Sequence, residues 1–297
     1  MATPPDPDSE DCLLCPGVPV RLRLHAGDPM LGDAGAGYPI YQCPSCGLMV
    51  TRLPPGHGLR DYPDDYLERI AEQREAGDRS WEQVFWRRLA SVHRFRAPGR
   101  VLDVGCGDGS FLRALGAVGW EASGTEMDGA VVDALRRRSL RVLQGELPAL
   151  GLPEHQLDAI TYFGSFEHVA RPLEELRAAR RLLRPEGVLL LNLTNTRCLE
   201  AWLLRGSWFG FEAPRHRYNY TLTSLERMLG QAGLRVLHAE YQDNTFISTI
   251  SLARRLGLGR RYARLLGPLT LFVRGLRWMA RRFDPGNVLE VVAGPRA

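Results

Sequence analysis

A hydrophobic fraction of 44% and a charged fraction of 24% over 297 residues suit one large α/β domain with a small appendage. No run of about 18 uncharged apolar residues occurs, which excludes a membrane-spanning helix, and the polar, acidic start MATPPDPDSEDC lacks the parts of a secretory signal. The formal net charge of +4 hides an imbalance: nine arginines and no acidic residue lie between Arg254 and Arg282, so the rest of the chain is net acidic.

Taken in chain order, residues 1–11 are expected to be disordered. Residues 12–58 form a module around two pairs, Cys12-x-x-Cys15 and Cys43-x-x-Cys46, with 27 residues between them. Four thiolates suit tetrahedral zinc, and four protein ligands leave no open position, so the metal is expected to be structural. Paired cysteines of this kind, without a signal peptide, place the protein in the cytoplasm. Cys106 and Cys198 stand apart. Val18–Leu24 and Tyr38–Gln42 alternate like short strands. Residues 59–98 hold two segments of helical spacing, YLERIAEQREAG and SWEQVFWRRLASVHRF, read as linker helices.

From residue 99 to 297, strand and helix alternate. VLDVG, EASGTEM, RVLQGE, LDAITYF, VLLLNLTN, LRVLHAEYQ and NVLEVVAGP read as strands. SFLRALGAVG, DGAVVDALRRRS, PLEELRAARRLLRPEG and TSLERMLGQAG read as helices. The expectation is an α/β, Rossmann-like, seven-stranded doubly wound sheet with a small N-terminal zinc-knuckle module and a helical C-terminal insertion at 247–283.

The strongest signal is VLDVGCGDGSFL at 101–112, a strand running into a glycine turn and then a helix. Glycines there let the backbone approach a ligand at the crevice where such folds bind cofactors. The spacing of Gly105, Gly107 and Gly109 is G-x-G-x-G, unlike the G-x-G-x-x-G of dinucleotide sites. Asp103 is placed to hold an amino group, and free loop amides to meet a carboxylate. Glu126, 19 residues past Gly107, is placed to accept from ribose hydroxyls, and Glu146 from an adenine amine. Cys106, Met127 and Phe163 flank these positions and complete the expected cofactor lining.

These segments, with GTEMD, LDAITYFGSFEHV and LRPEGVLLLNLTN, resemble the class I S-adenosylmethionine-dependent methyltransferases over residues 100–195. The cysteine knuckle YQCPSCGLMVTRLPP and the later stretch WFGFEAPRHRYNYTLTSLERMLGQAG resemble a bacterial group with an N-terminal zinc module. The resemblance implies S-adenosylmethionine and structural zinc as cofactors, and a small-molecule, sugar or glycan-precursor acceptor. That group shows Pro-x-His and an aromatic after the fifth strand, positions filled here by Pro214, His216 and Tyr220.

An oxygen or carbon acceptor needs a base. His216 ranks first, in an aromatic-rich loop that could close over the cofactor; the alternative is a histidine that only bonds the backbone. Glu167 and His168 follow the fourth strand, and Tyr220 could orient the acceptor. The EH pair resembles one in quinone O-methyltransferases, where further carboxylates help bind a metal, but Gly164 stands where such an acid would be. In the insertion, Leu269, Phe272, Val273, Leu276, Met279 and Phe283 keep a helical period, with Arg274, Arg277 and Arg281 off the stripe. Two readings stay open: a helix packed on the domain with a solvated arginine face, or peripheral contact of 268–283 with the inner membrane face. The thin aromatic interleaving argues against a nucleic-acid partner. The competing functions are an RNA methyltransferase, a non-catalytic scaffold of the same fold and, more distantly, an NAD dehydrogenase.

Overall fold

A computed structural model describes residues 10–29, 37–53, 80–257, 266–280 and 282–296. The expected disorder of residues 1–9 and the expected linker helix at 66–77 lie outside the described residues.

The chain opens with β1 (Asp11–Cys12), β2 (Cys15–Pro19), β3 (Arg21–Ala26), β4 (Tyr38–Gln42) and β5 (Met49–Thr51). Helix α1 (Ser80–Phe95) leads into β6 (Arg100–Val104) and α2 (Ser110–Ala117). There follow β7 (Glu121–Glu126), α3 (Gly129–Arg137), β8 (Val142–Gln144), β9 (Leu157–Phe163), α4 (Pro172–Leu182) and β10 (Leu183–Thr194). Beyond them lie α5 (Leu199–Leu204), β11 (Tyr218–Asn219), α6 (Leu222–Gln231) and β12 (Leu234–Gln242). The chain ends with α7 (Thr245–Arg255), α8 (Leu266–Ala280) and β13 (Val288–Pro295).

Seven strands form one sheet in the order β12-β13-β10-β9-β6-β7-β8. The pairs from β10 to β8 are parallel, and β13 is antiparallel to both of its neighbours. Central strands covered on both faces must be apolar throughout, not alternating. Accordingly Leu189, Leu190 and Leu191 of β10 are all fully buried. Local signals set the helix starts: Asp128 caps α3 by accepting from Ala130 N and Val131 N, and Thr221 forms a capping box with Ser224. The one acid inside β13, Glu290, is buried and accepts from Ser91 of α1 at 2.6 Å and Asn192 of β10 at 3.2 Å.

The cysteine module is not a bead on a string. Strands β3, β4 and β5 form a second sheet whose fourth strand, β11, comes from the loop after β10. The four paired cysteines, Leu14 and Leu48 share one apolar core with Leu225, Met228 and Leu229 of α6 and with the main sheet.

The insertion departs from expectation. Arg277, expected on a solvated face, is buried, while Trp278 and Phe283 are 73% and 89% exposed. The arginine turns inward because three carboxylates wait there: Glu200 at 3.2 Å, Asp284 at 2.6 Å, and Asp243. Arg281 and the side chain of Arg274 lie outside the described residues.

Candidate functional site

The C-terminal ends of β6, β7 and β9 gather the glycine loop at one edge of the sheet. Gly105 has φ +72°, and a Cβ there would lie 2.6 Å from Ser165 Cβ, so any side chain would break the crossing of the two loops. A Cβ on Gly107, by contrast, would meet nothing within 4 Å, so the loop presents bare backbone to open space. Asp103, at the strand end, is buried and accepts from Thr161 Oγ1 at 2.6 Å. Burial pushes its carboxyl up to about 6, against the pull of the Thr161 bond and the Arg88 charge. Glu126 reaches back across the loop. Its Oε2 accepts from Gly107 N at 3.0 Å and its Oε1 from Met127 N at 2.9 Å.

The remaining cofactor-side residues are distributed around this edge. Phe163 lies edge-on to Phe111 at 5.1 Å with the Arg88 guanidinium 4.7 Å above it. Met127 is exposed. Glu146 opens a short turn, where its charge helps to raise the Glu175 carboxyl, after burial, to about 7. Cys106 is turned under the loop, its thiol raised by burial, and a Cβ on Gly124 would lie 2.7 Å from its sulfur. The expectation of free loop amides is corrected. Gly105 N and Cys106 N both donate to Thr125 O, Gly109 N donates to Cys106 O, and Gly107 N donates to Glu126. The loop closes on itself and on β7, and the Gly107 amide alone of these four is held by a side chain.

The turn after β9 carries Glu167 and His168. Glu167 is buried, accepts from Thr194 N at 3.0 Å, and is raised by burial to about 7. Its Oε2 and the hydroxyl of buried Tyr220 have no hydrogen-bond partner among the described residues. Orphaned buried polar atoms are rare and call for water or a ligand group. His168 is half-buried and packs edge-on against His216, ring centroids 4.8 Å apart. His216 itself is buried. Its Nδ1 bonds Gly210 O at 3.0 Å and its Nε2 lies 3.6 Å from Glu212. Burial lowers both rings to about 4, so both are neutral at physiological pH.

The module grips this loop and α6 at six points. Arg215 makes a buried ion pair with Asp28, with Nη1 to Oδ2 at 3.1 Å. Thr51 Oγ1 donates to His216 O at 2.7 Å, and Thr51 N to Arg217 O at 2.9 Å. Strand β11 pairs with β5, Tyr218 opposite Val50. Thr221 Oγ1 donates to Cys46 O at 3.5 Å. Arg227 of α6 donates to Cys15 Sγ at 3.0 Å. The sulfurs of Cys12, Cys15, Cys43 and Cys46 all lie within 4.8 Å of one another, every one buried. A cleft of about 350 Å³ opens between module and main domain, its lining including Gln42, Thr196, Arg197, Trp202 and Arg205.

Sequence reasoning missed Thr161, Arg88, Asp28 and Thr51. Thr161 could have been found, as the one threonine of the apolar run LDAITYF, paired with Asp103 in the strand register. Asp28 and Thr51 carry no such signal, because their partners lie 187 and 165 residues away.

A family model described as "Methyltransferase domain" matches residues 66–239. A ubiquinone biosynthesis O-methyltransferase of Methylococcus capsulatus is 31% identical over 120 residues, which is 38% of this chain and 50% of that protein. One of Xanthomonas campestris pv. campestris is 36% identical over 111 residues, 34% of this chain and 46% of that protein. The chain thus spans about half the length of the curated relatives it matches. A crystal structure of a SAM-dependent methyltransferase from Archaeoglobus fulgidus shares the fold with TM-score 0.53 and 19% identity, over 77% of this chain and 100% of that one.

Proposed function

Because the chain belongs to the methyltransferase-domain family, as a class I S-adenosylmethionine-dependent enzyme, we propose that it methylates a hydroxyl of a small-molecule acceptor of sugar or glycan-precursor type. The observation that carries the acceptor class is the cleft of about 350 Å³. Its amide, hydroxyl and guanidinium groups beside an indole match a hydroxylated ring, which needs many hydrogen bonds and one flat apolar surface. That both relatives are named O-methyltransferases supports oxygen as the atom methylated.

On this reading Asp103 holds the amino end of the cofactor and Glu126 the ribose hydroxyls. Met127 and Phe163 flank the adenosyl group and Glu146 receives the adenine amine, while Gly105, Gly107 and Gly109 allow close approach. When bound, S-adenosylmethionine supplies an electrophilic methyl group on a sulfonium. His168 takes the acceptor's hydroxyl proton on its neutral ring. Of the four candidates it alone is not fully buried, and this moves first place from His216 to His168. His216, Glu167 and Tyr220 act as positioning residues behind it. Structural zinc fits the four cysteines: thiolates about 2.3 Å from zinc stand about 3.8 Å apart in a tetrahedron, and Cys12 and Cys46 lie 3.6 Å apart.

His168→Gln is expected to lower kcat by about 10²–10⁴-fold while the cofactor's Kd stays within about twofold. Since the ring is already neutral above about pH 4 while the neighbouring Glu167 carboxyl is raised to about 7, the profile is read in the Glu167→Gln background, where kcat should be flat from about pH 6 to 8. An acid limb in that window, or an equal loss of cofactor affinity in the variant, would overturn the assignment.

A further inference from the structure

Helix α8 is amphipathic in the inverse sense. It is anchored to the domain by a charge and presents apolar side chains to the outside. Its inward face carries Val273 and Arg277, with Thr270 Oγ1 3.3 Å from Thr249 Oγ1 of α7. The outward face carries Leu271, Phe272, Leu276, Trp278 and Met279, all exposed, and Phe283 continues it beyond the helix end. Contiguous exposed apolar surface of this kind marks an interaction site. The charge around it says with what. Between Arg254 and Arg282 the chain has nine arginines and no acid; Arg277 is already held by its three carboxylates, and among the described residues Arg255 and Arg282 are exposed. A second copy docking face to face would bring two sets of these arginines together, which like-charge repulsion opposes. An anionic bilayer removes the apolar side chains from water and neutralises the arginines at once.

We infer that the α8 face docks peripherally on an anionic lipid surface. None of the described helices is long and apolar enough to cross a membrane, so the contact lies in the interface plane. Phe283 also lines the cleft between module and main domain, so docking sets the cleft mouth beside the lipid headgroups. The inference does not depend on which acceptor is methylated.

The test uses the full chain and sedimentation with vesicles of phosphatidylglycerol or of phosphatidylcholine, at low and at high salt. The protein should sediment with phosphatidylglycerol vesicles at low salt, and at least about tenfold more weakly with phosphatidylcholine or at 1 M salt, where the Debye length falls to about 3 Å. The variant Phe272→Ser/Trp278→Ser changes only exposed side chains outside the cleft lining. It should keep its cofactor affinity and lose binding by at least about tenfold. No sedimentation with phosphatidylglycerol, or equal sedimentation of the variant, overturns the inference. So does a native dimer that ignores vesicles and becomes a monomer in the variant.

Discussion

Replacing Cys43 by serine is expected to lower turnover at least about hundredfold, the cost of misplacing catalytic groups by about an ångström, while the cofactor's Kd stays within about threefold. The reasoning runs through the stitched loop. With structural zinc proposed at the four cysteines, losing one ligand undoes the knuckle that places β4, β5 and Cys46. Those elements hold Thr221, Tyr218 and the carbonyls of His216 and Arg217. The residues proposed for proton transfer therefore lose their frame. The glycine loop, Asp103 and Glu126 lean instead on β7, β9 and each other, so the cofactor half should survive. Metal analysis, calorimetry with S-adenosylmethionine and an activity assay on the same preparation separate the two halves. Arg215→Ala provides a control that keeps all four cysteines. It removes one half of a buried ion pair, a loss of about 3–5 kcal/mol, and should reproduce the loss of turnover with zinc still bound. A cofactor affinity that falls in step with turnover would show that the two halves are not separable.

Glu126→Ala should weaken S-adenosylmethionine binding by roughly 10²- to 10⁴-fold, because two hydrogen bonds from ribose hydroxyls to a charged acceptor are lost, each worth about 1.5–3 kcal/mol. Affinity should also depend on pH through Asp103. Its carboxyl, raised by burial to about 6, can hold an ammonium group only when ionised. Binding should therefore strengthen as pH rises to about 6, level off above it, and weaken up to about tenfold per unit below it. In Asp103→Asn the affinity should be low and that slope absent. An unchanged Kd in Glu126→Ala, or a slope that persists in Asp103→Asn, would remove these residues from the cofactor site. Titration calorimetry from pH 5 to 8 measures both effects.

Local chemistry made much of this legible before any coordinates. The order of apolar runs and glycine turns marks every strand of the main sheet, most plainly β6, β9 and β10, whose parallel, doubly covered runs cannot hide their composition. The G-x-G-x-G turn, Asp103 and Glu126 meet at one sheet edge as their positions at strand ends required. What the sequence concealed depends on distance or on context. Strand β11 has two residues and exists only because β5 lies beside it. The Asp28–Arg215 pair joins two loops with no local pattern in either. Arg277 reads as solvated by periodicity alone, yet nearby Asp284 and the more distant Glu200 and Asp243 draw it inward and turn the apolar side of α8 outward. His216 stands out as a base by residue type, and its burial and its bond to Gly210 O support the positioning part proposed for it.

The central claim is the cofactor, and calorimetric titration of the zinc-replete protein with S-adenosylmethionine and, separately, with NAD tests it most directly. Saturable one-to-one binding of S-adenosylmethionine with no heat from NAD is the result predicted by the G-x-G-x-G loop with Glu126 folded across it. A folded protein that binds NAD, or neither molecule, would contradict it.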